Sequence, residues 1–203
     1  MSEPPVSAPL EAAEEALEFR CTGCGECCRR HRAAVTSFDV ARLIAATGRA
    51  AEELVAWLAP DEVDMTGEPE SFVELSEGRR LLVLARTSGA CSLLGADNLC
   101  SVYAARPLDC RSFPFDFELV QRNGLSVRRL KLLPLKDCDY ARDGQQDLAQ
   151  IAAEDATRWH ELTRYQSLVA HWNRLAHHRR RLHHRLGTRS DFLAFALSRR
   201  EQP

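Results

Sequence analysis

The sequence contains no apolar run approaching the roughly 18 residues that a membrane-spanning helix requires. Aromatic residues supply only 7% of it, and methionine occupies two positions. Neither sign of charge prevails, since 27 basic and 29 acidic residues leave a formal −2. A protein dedicated to nucleic acid carries a marked cationic excess, so that class is disfavoured. The opening stretch MSEPPVSAPLEAAEEALEF has neither the basic segment nor the apolar core of a secretory signal. A cytoplasmic location is therefore expected, where persistent disulfides are rare. Also missing are a Gly-rich phosphate loop, an H-E-x-x-H pair and a recognisable nucleophile–base pairing. What the chain does have is eight cysteines in 203 residues, four of them inside CTGCGECC.

The order of elements predicts an α+β fold. Residues 1–18, with five Glu and no Lys or Arg, are expected to form a flexible acidic lead-in, and LEAAEEALEF a short helix. Residues 19–144 hold every cysteine and are expected to form a metal-binding domain. In TSFDVARLIAATG, Thr36 caps a helix, Asp39 completes a variant capping box and Gly48 provides a left-handed stop. RAAEELVAWLA reads as a second helix ending at Pro60. SFVELSEGRRLLVLAR reads as two strands around SEGR, and FDFELVQRNGLSVRRLKLLP as a hairpin around Asn123-Gly124. Phe115, Phe117 and Leu119 alternate with Asp116 and Glu118, as in a sheet with one wet face.

Residues 145–203 form an Arg- and His-rich helical segment. No Gly or Pro occurs from Gln145 to Leu186. Ile151, Trp159, Leu162, Val169, Trp172, Leu175 and Leu182 recur at helical spacing and are expected to form one stripe. An unbroken helix of that length would project, pair with a partner, or break at EDATR.

The cysteines follow the pattern C-x2-C-x2-C-C, then, after 62 residues, C-x8-C-x9-C-x27-C. A local run with two-residue spacers lets the chain turn around a metal and aim successive sulfurs at it, and distant cysteines close the shell when the domain folds. A staple of disulfides conflicts with the expected compartment, and the C-x-x-C pairs lack the βαβ context of a thioredoxin-like redox site. Eight buried thiols serving only as packing would not cluster in this way. On a helix Cys21, Cys24 and Cys28 share a face and Cys27 diverges by about 100°. The thiols of Cys27 and Cys28 are thus expected to point to different places. Zinc and iron–sulfur both fit the spacing; C-x2-C-x2-C starts like a bacterial ferredoxin, without the C-x3-C-P ending.

Taken together, CTGCGECC, the TSFDVARLIAATG helix, CSLLGADNLCSVY and ARPLDCRSFPF resemble the cysteine-cluster (CxxCxxCC, YkgJ-type) family of zinc- or iron-chelating domains. The resemblance runs from about Phe19 to Cys138 and implies a ligand set of Cys21, Cys24, Cys27, Cys28, Cys91, Cys100, Cys110 and Cys138. Some larger proteins similar to this family methylate flagellin lysines and others are labelled iron–sulfur oxidoreductases, so the resemblance implies metal and leaves the reaction open. Arg106 and Arg111 are expected beside the metal, offsetting thiolate charge without binding it. Pro107 and Pro114 are expected to hold Cys110 rigidly between two bends.

The first functional expectation is a metal-binding module, with an iron–sulfur cluster favoured over zinc. The alternatives are an iron–sulfur-dependent enzyme, either an oxidoreductase or a component of a protein-modifying transferase, and an adaptor. The adaptor would dock an acidic protein partner through HHRRRLHHR, with nucleic acid and membrane disfavoured as partners. His160, His171 and His178 fall near one helical face, but no two histidines stand four apart, so a solvated face is expected rather than a metal site.

Overall fold

The computed structural model describes residues 8–63, 69–135 and 137–199, and it has an α+β architecture. The chain enters as strand β1 (Leu10–Ala12), a single helical turn α1 (Glu14–Leu17) and strand β2 (Arg20–Cys21). Helices α2 (Glu26–Arg30), α3 (Ser37–Thr47) and α4 (Ala51–Leu54) follow, then strands β3 (Val55–Leu58), β4 (Val73–Leu75), β5 (Gly78–Leu84), β6 (Arg86–Thr87) and β7 (Ala90–Cys91). Helix α5 (Leu108–Ser112) precedes strands β8 (Phe115–Arg122), β9 (Leu125–Leu132) and β10 (Tyr140–Ala141). Helices α6 (Leu148–Arg181) and α7 (Arg189–Arg199) complete the described chain.

Local chemistry accounts for the best-defined elements. Thr36 accepts from the Asp39 amide, Asp39 accepts from the Thr36 amide at 2.9 Å, and Gly48 closes α3 at φ 67°. Asn123 and Gly124 both take positive φ, and this two-residue turn sets the β8–β9 register from Arg122↔Leu125 out to Phe115↔Leu132. Two sequence expectations fail here. LEAAEEALEF is a strand followed by one helical turn, because Leu10–Ala12 pairs parallel with Arg128–Leu130. RAAEELVAWLA is helical only to Leu54; Val55–Leu58 pairs antiparallel with Leu81–Leu84, where β-branched and aromatic side chains fit the pleat.

The main core joins α3, β3, β4, β5, α6 and α7 through Val40, Leu43, Leu82, Val169, Trp172 and Phe192. Helix α6 runs unbroken through EDATR for 34 residues, about 51 Å. Its buried stripe is Leu162, Tyr165, Val169, Trp172 and Ala176, with steps of three and four residues. Leu175 and Leu182, expected in that stripe, are instead 39% and 50% exposed. The buried line passes through Trp172 and Ala176, which places Leu175 and Leu182 on another side of the helix. Helix α6 also covers the free edge of β4: Trp172 Nε1 donates to the Glu74 carbonyl at 2.8 Å, while Asn173 accepts from the Glu74 amide at 2.8 Å and donates to the Phe72 carbonyl at 2.9 Å. On the other sheet, Phe115 and Phe117 are half-buried and Leu119 is 53% exposed, so the expected dry face reaches only part of β8.

Candidate metal centre

Four separate stretches of chain bring the cysteines together. Cys21 ends β2, which pairs with β10 in the register Cys21↔Tyr140, so residues around 138 lie beside the start of the cysteine run. The Thr22 hydroxyl donates to the Asp139 carbonyl, and the Gly144 amide donates to the Glu18 carbonyl at 2.8 Å. Cys24 lies between Gly23 and Gly25, both at φ near 75°. A Cβ on Gly25 would stand 3.0 Å from the Asn98 carbonyl oxygen, so glycine lets the run pack against the 95–99 turn. Arg29 fixes that contact, donating to the Cys24 carbonyl at 2.9 Å and to the Asn98 side chain.

Cys27 and Cys28 lie in α2, whose C-terminal carbonyls are gathered by one guanidinium. Arg86, at the start of β6, donates to the carbonyls of Cys28 at 3.4 Å and His31 at 3.0 Å, and to those of Arg29 and Gly89. The same strand pair places Cys91 opposite Arg86. Cys100 bridges Leu94, and Cys110 sits in α5, which α3 anchors where Asp39 accepts from the Leu108 amide at 3.0 Å. Cys91, Cys100 and Cys110 pack against the main core, whereas Cys21 and Cys27 are exposed.

All eight cysteines line one cavity of about 650 Å³, open to solvent on one side, whose wall also includes Phe113, Phe115, Phe117, Arg106 and Arg111. Within it the sulfurs fall into two neighbourhoods. Cys24 Sγ and Cys138 Sγ lie 3.8 Å apart, with Cys21 and Cys27 near enough to act on Cys138 electrostatically. Cys91 and Cys100 act on Cys28, Cys100 acts on Cys91, and Cys91 and Cys100 act on Cys110. Cys27 adjoins both groups.

This arrangement corrects the helical-face expectation. Gly25 begins α2 in the left-handed conformation, so Cys21 and Cys24 precede the helix and share no helical face with Cys28. Cys27 and Cys28 do not point to different places either; both line the cavity and their thiols interact. The Cys28 thiol is the main cause that lowers Cys27 to about 6, assisted by the charges of Arg106 and His31. In return the Cys27 thiolate and burial push Cys28 well up. Burial raises Cys91 and Cys110, and burial with the Cys24 neighbour raises Cys138 to about 12.

Arg106 stacks on Tyr103 with its guanidinium carbon 3.8 Å from the ring centre and faces Cys27. Arg111 donates to the carbonyls of Arg106, at 3.0 Å, and Ala104, holding the loop that presents Arg106. Three contributors went unrecognised in the sequence. Arg86 is the carbonyl clamp described above. His31 Nε2 and Asp109 Oδ2 lie 2.8 Å apart, and His31 stacks on Phe113 with ring centres 5.6 Å apart at the cavity wall. That carboxylate raises the imidazole pKa. Position three residues after Cys28 and directly before Cys110 was the available signal for His31 and Asp109; their meeting across 78 residues was not visible in it.

Among the described residues no three His, Cys, Asp or Glu side chains already converge at the spacing of a ligand set. Neutral thiols have no attraction drawing them to one point, and thiolates repel. The donor set nevertheless fits a soft metal: eight sulfurs, the Arg106 cation and a His31 imidazole whose pKa Asp109 raises, and one pair at the correct separation. Two sulfurs on one tetrahedral ion at about 2.3 Å lie about 3.8 Å apart, which matches the Cys24–Cys138 distance of 3.8 Å.

The CxxCxxCC family model, described as "Putative zinc- or iron-chelating domain", matches residues 20–129. That span holds every cysteine but Cys138, which the fold brings to Cys24. No curated protein and no solved structure matches the chain.

Proposed function

Because the chain belongs to the CxxCxxCC family of zinc- or iron-chelating domains, we propose that its eight cysteines hold metal in two groups of four thiolates within one cavity, each group able to hold one ion or one two-iron cluster. The observation that carries this reading is the Cys24–Cys138 sulfur pair, spaced as two ligands of one ion. Cys21, Cys24, Cys138 and Cys27 serve the solvent-facing position. Cys28, Cys91, Cys100 and Cys110 serve the core-facing one.

Iron–sulfur chemistry is favoured over zinc by volume. Zinc held by four thiolates fills its own sulfur cage, whereas a cavity of about 650 Å³ leaves room for bridging sulfide. Two thiolates on one iron fit the 3.8 Å pair, as in a two-iron cluster with two cysteines per iron. Such a cluster supplies one-electron transfer when bound. The chain's own residues position it: Arg29 holds the middle of the cysteine run at the Cys24 carbonyl, Arg86 holds its C-terminal end, and Arg106 and His31 compensate thiolate charge.

Metal and acid-labile sulfide analysis of protein purified without oxygen, with its visible spectrum, tests the reading. Iron and sulfide in equal amounts support it. Stoichiometric zinc without sulfide would replace the cluster by two zinc ions, and protein with neither metal would sink the proposal. Chelator challenge adds a second readout, because the exposed position should lose its metal faster than the core-packed one.

A further inference from the structure

The C-terminal end of α6 leaves the protein surface bare of core contacts. Ala176 is its last buried residue, and residues 177–185 are exposed without interruption. Eight of those nine are His or Arg. Among the described residues Arg180 alone of these has a salt-bridge partner, Glu74 at 3.4 Å, and Arg179 and Arg185 share the field of Asp191. Among the described residues no acid lies within ion-pair distance of Arg174 or Arg181.

The ninth residue is Leu182, 50% exposed, and one heptad before it stands Leu175, 39% exposed. Seven residues are about two helical turns, and Leu182 is the C-cap residue directly after Arg181, so the two leucines form a line about 10.5 Å long at the end of α6. Arg174, His178 and Arg181 flank that line on its outer side, and Arg179 stands on the other. An apolar line bordered by cations is the pattern of a helix seam with charged flanking positions.

We propose that this face docks an amphipathic acidic helix of a partner protein, whose apolar residues cover Leu175 and Leu182 and whose carboxylates meet Arg174, Arg179 and Arg181. A second copy of the chain is the wrong occupant, since pairing the seam with itself sets arginine against arginine. Nucleic acid would neutralise the cations but leave the two leucines against phosphate or water. The overall charge of −2 also opposes a polyanion elsewhere on the surface.

Fluorescence anisotropy on the full, metal-loaded chain tests the proposal with three labelled probes: a designed helix of about 21 residues with Leu every seventh position and Glu on both flanks, the same helix with Lys for Glu, and a DNA duplex of comparable length. The Glu helix should bind at least about tenfold tighter than either other probe, and more weakly as salt rises. R174E/R181E and L175S/L182S should each weaken it about tenfold, with circular dichroism unchanged because all four positions are exposed. Equal binding of the Lys helix, tighter binding of the duplex, concentration-dependent dimerisation through this face, or indifference to both double variants would each overturn it. The outcome is independent of which metal the cysteines hold.

Discussion

Arg86→Met is the substitution that most directly tests how the cysteine run is held. The arginine belongs to no cysteine motif, and it meets the run through main-chain carbonyls while its charge reaches the Cys91 thiol. Its guanidinium meets four main-chain carbonyls, three of them at the end of α2 where no intrahelical partner exists. Methionine keeps most of the aliphatic volume and removes every donor. Each charge-assisted bond to a carbonyl is worth about 1.5 kcal/mol or more when buried, but this site is only half-buried. Water recovers part of the loss, so the net destabilisation should be about 2–4 kcal/mol rather than the full sum. For a chain of this size that lowers the melting temperature by about 5–15 °C.

The same loosening should reach the metal, because α2 carries Cys27 and Cys28. Anaerobic thermal melts with and without metal, together with metal retention against a chromophoric chelator, measure both effects. Arg86→Lys retains charge without the planar fork and should restore less than half of the stability. Arg122→Met, which breaks only an exposed pair with Glu11, sets the background at about 0–1 kcal/mol. If Arg86→Met melts like the Arg122 variant and keeps its metal equally well, α2 is positioned by something other than this clamp.

Three further outcomes are expected. Cys24→Ser and Cys138→Ser should lower metal content by the same amount, with the double variant no worse than either, because the proposed centre puts both sulfurs on one ion; additive losses would separate them. Asn173→Ala removes both side-chain bonds to the β4 edge and should cost about 1–3 kcal/mol in urea unfolding, with faster exchange of the Glu74 amide; a protected amide would show the edge is sealed without Asn173. Asp191, whose carboxyl is held below its ordinary 3.8 by the Thr188 amide and hydroxyl, stabilises α7 above that pH and loses the effect as pH falls through the depressed value. Asp191→Asn should therefore flatten the acid limb of the α7 unfolding curve, and an unchanged limb would refute the cap.

Features written in adjacent residues were legible in the sequence. The Thr36–Asp39 box, the Gly48 stop and the Asn123-Gly124 turn each depend on a few neighbouring positions, and each forms as expected. Errors arose where partners distant in sequence decided the outcome. Val55–Leu58 has an ambiguous short apolar pattern, and pairing with Leu81–Leu84 resolves it as strand. Helical periodicity could not say that Trp172 and Ala176 would take the core side while Leu175 and Leu182 remained in solvent. The cysteine geometry failed for a local reason that was present but underweighted: Gly23 and Gly25 both adopt positive φ, which delays the helix until Glu26.

The adjacency of Cys27 and Cys28 now has a physical account different from divergence. A thiol beside a thiolate shares the negative charge, and the pair stands where the solvent-facing and core-facing sulfurs meet. Four polar anchors from outside the run then determine where it sits: Arg86 at the end of α2, Arg29 reaching Asn98, the Thr22–Asp139 contact and the β2–β10 pairing. These anchors involve no sulfur, so they operate before any metal binds. In the proposed centre, metal binding must still draw the eight sulfurs together and displace protons from thiols that burial has made reluctant acids. The scaffold lowers the entropic part of that task by bringing distant cysteines to one cavity wall, and leaves the proton release to the metal. The local run nominates a metal site, and the long-range contacts make one out of it.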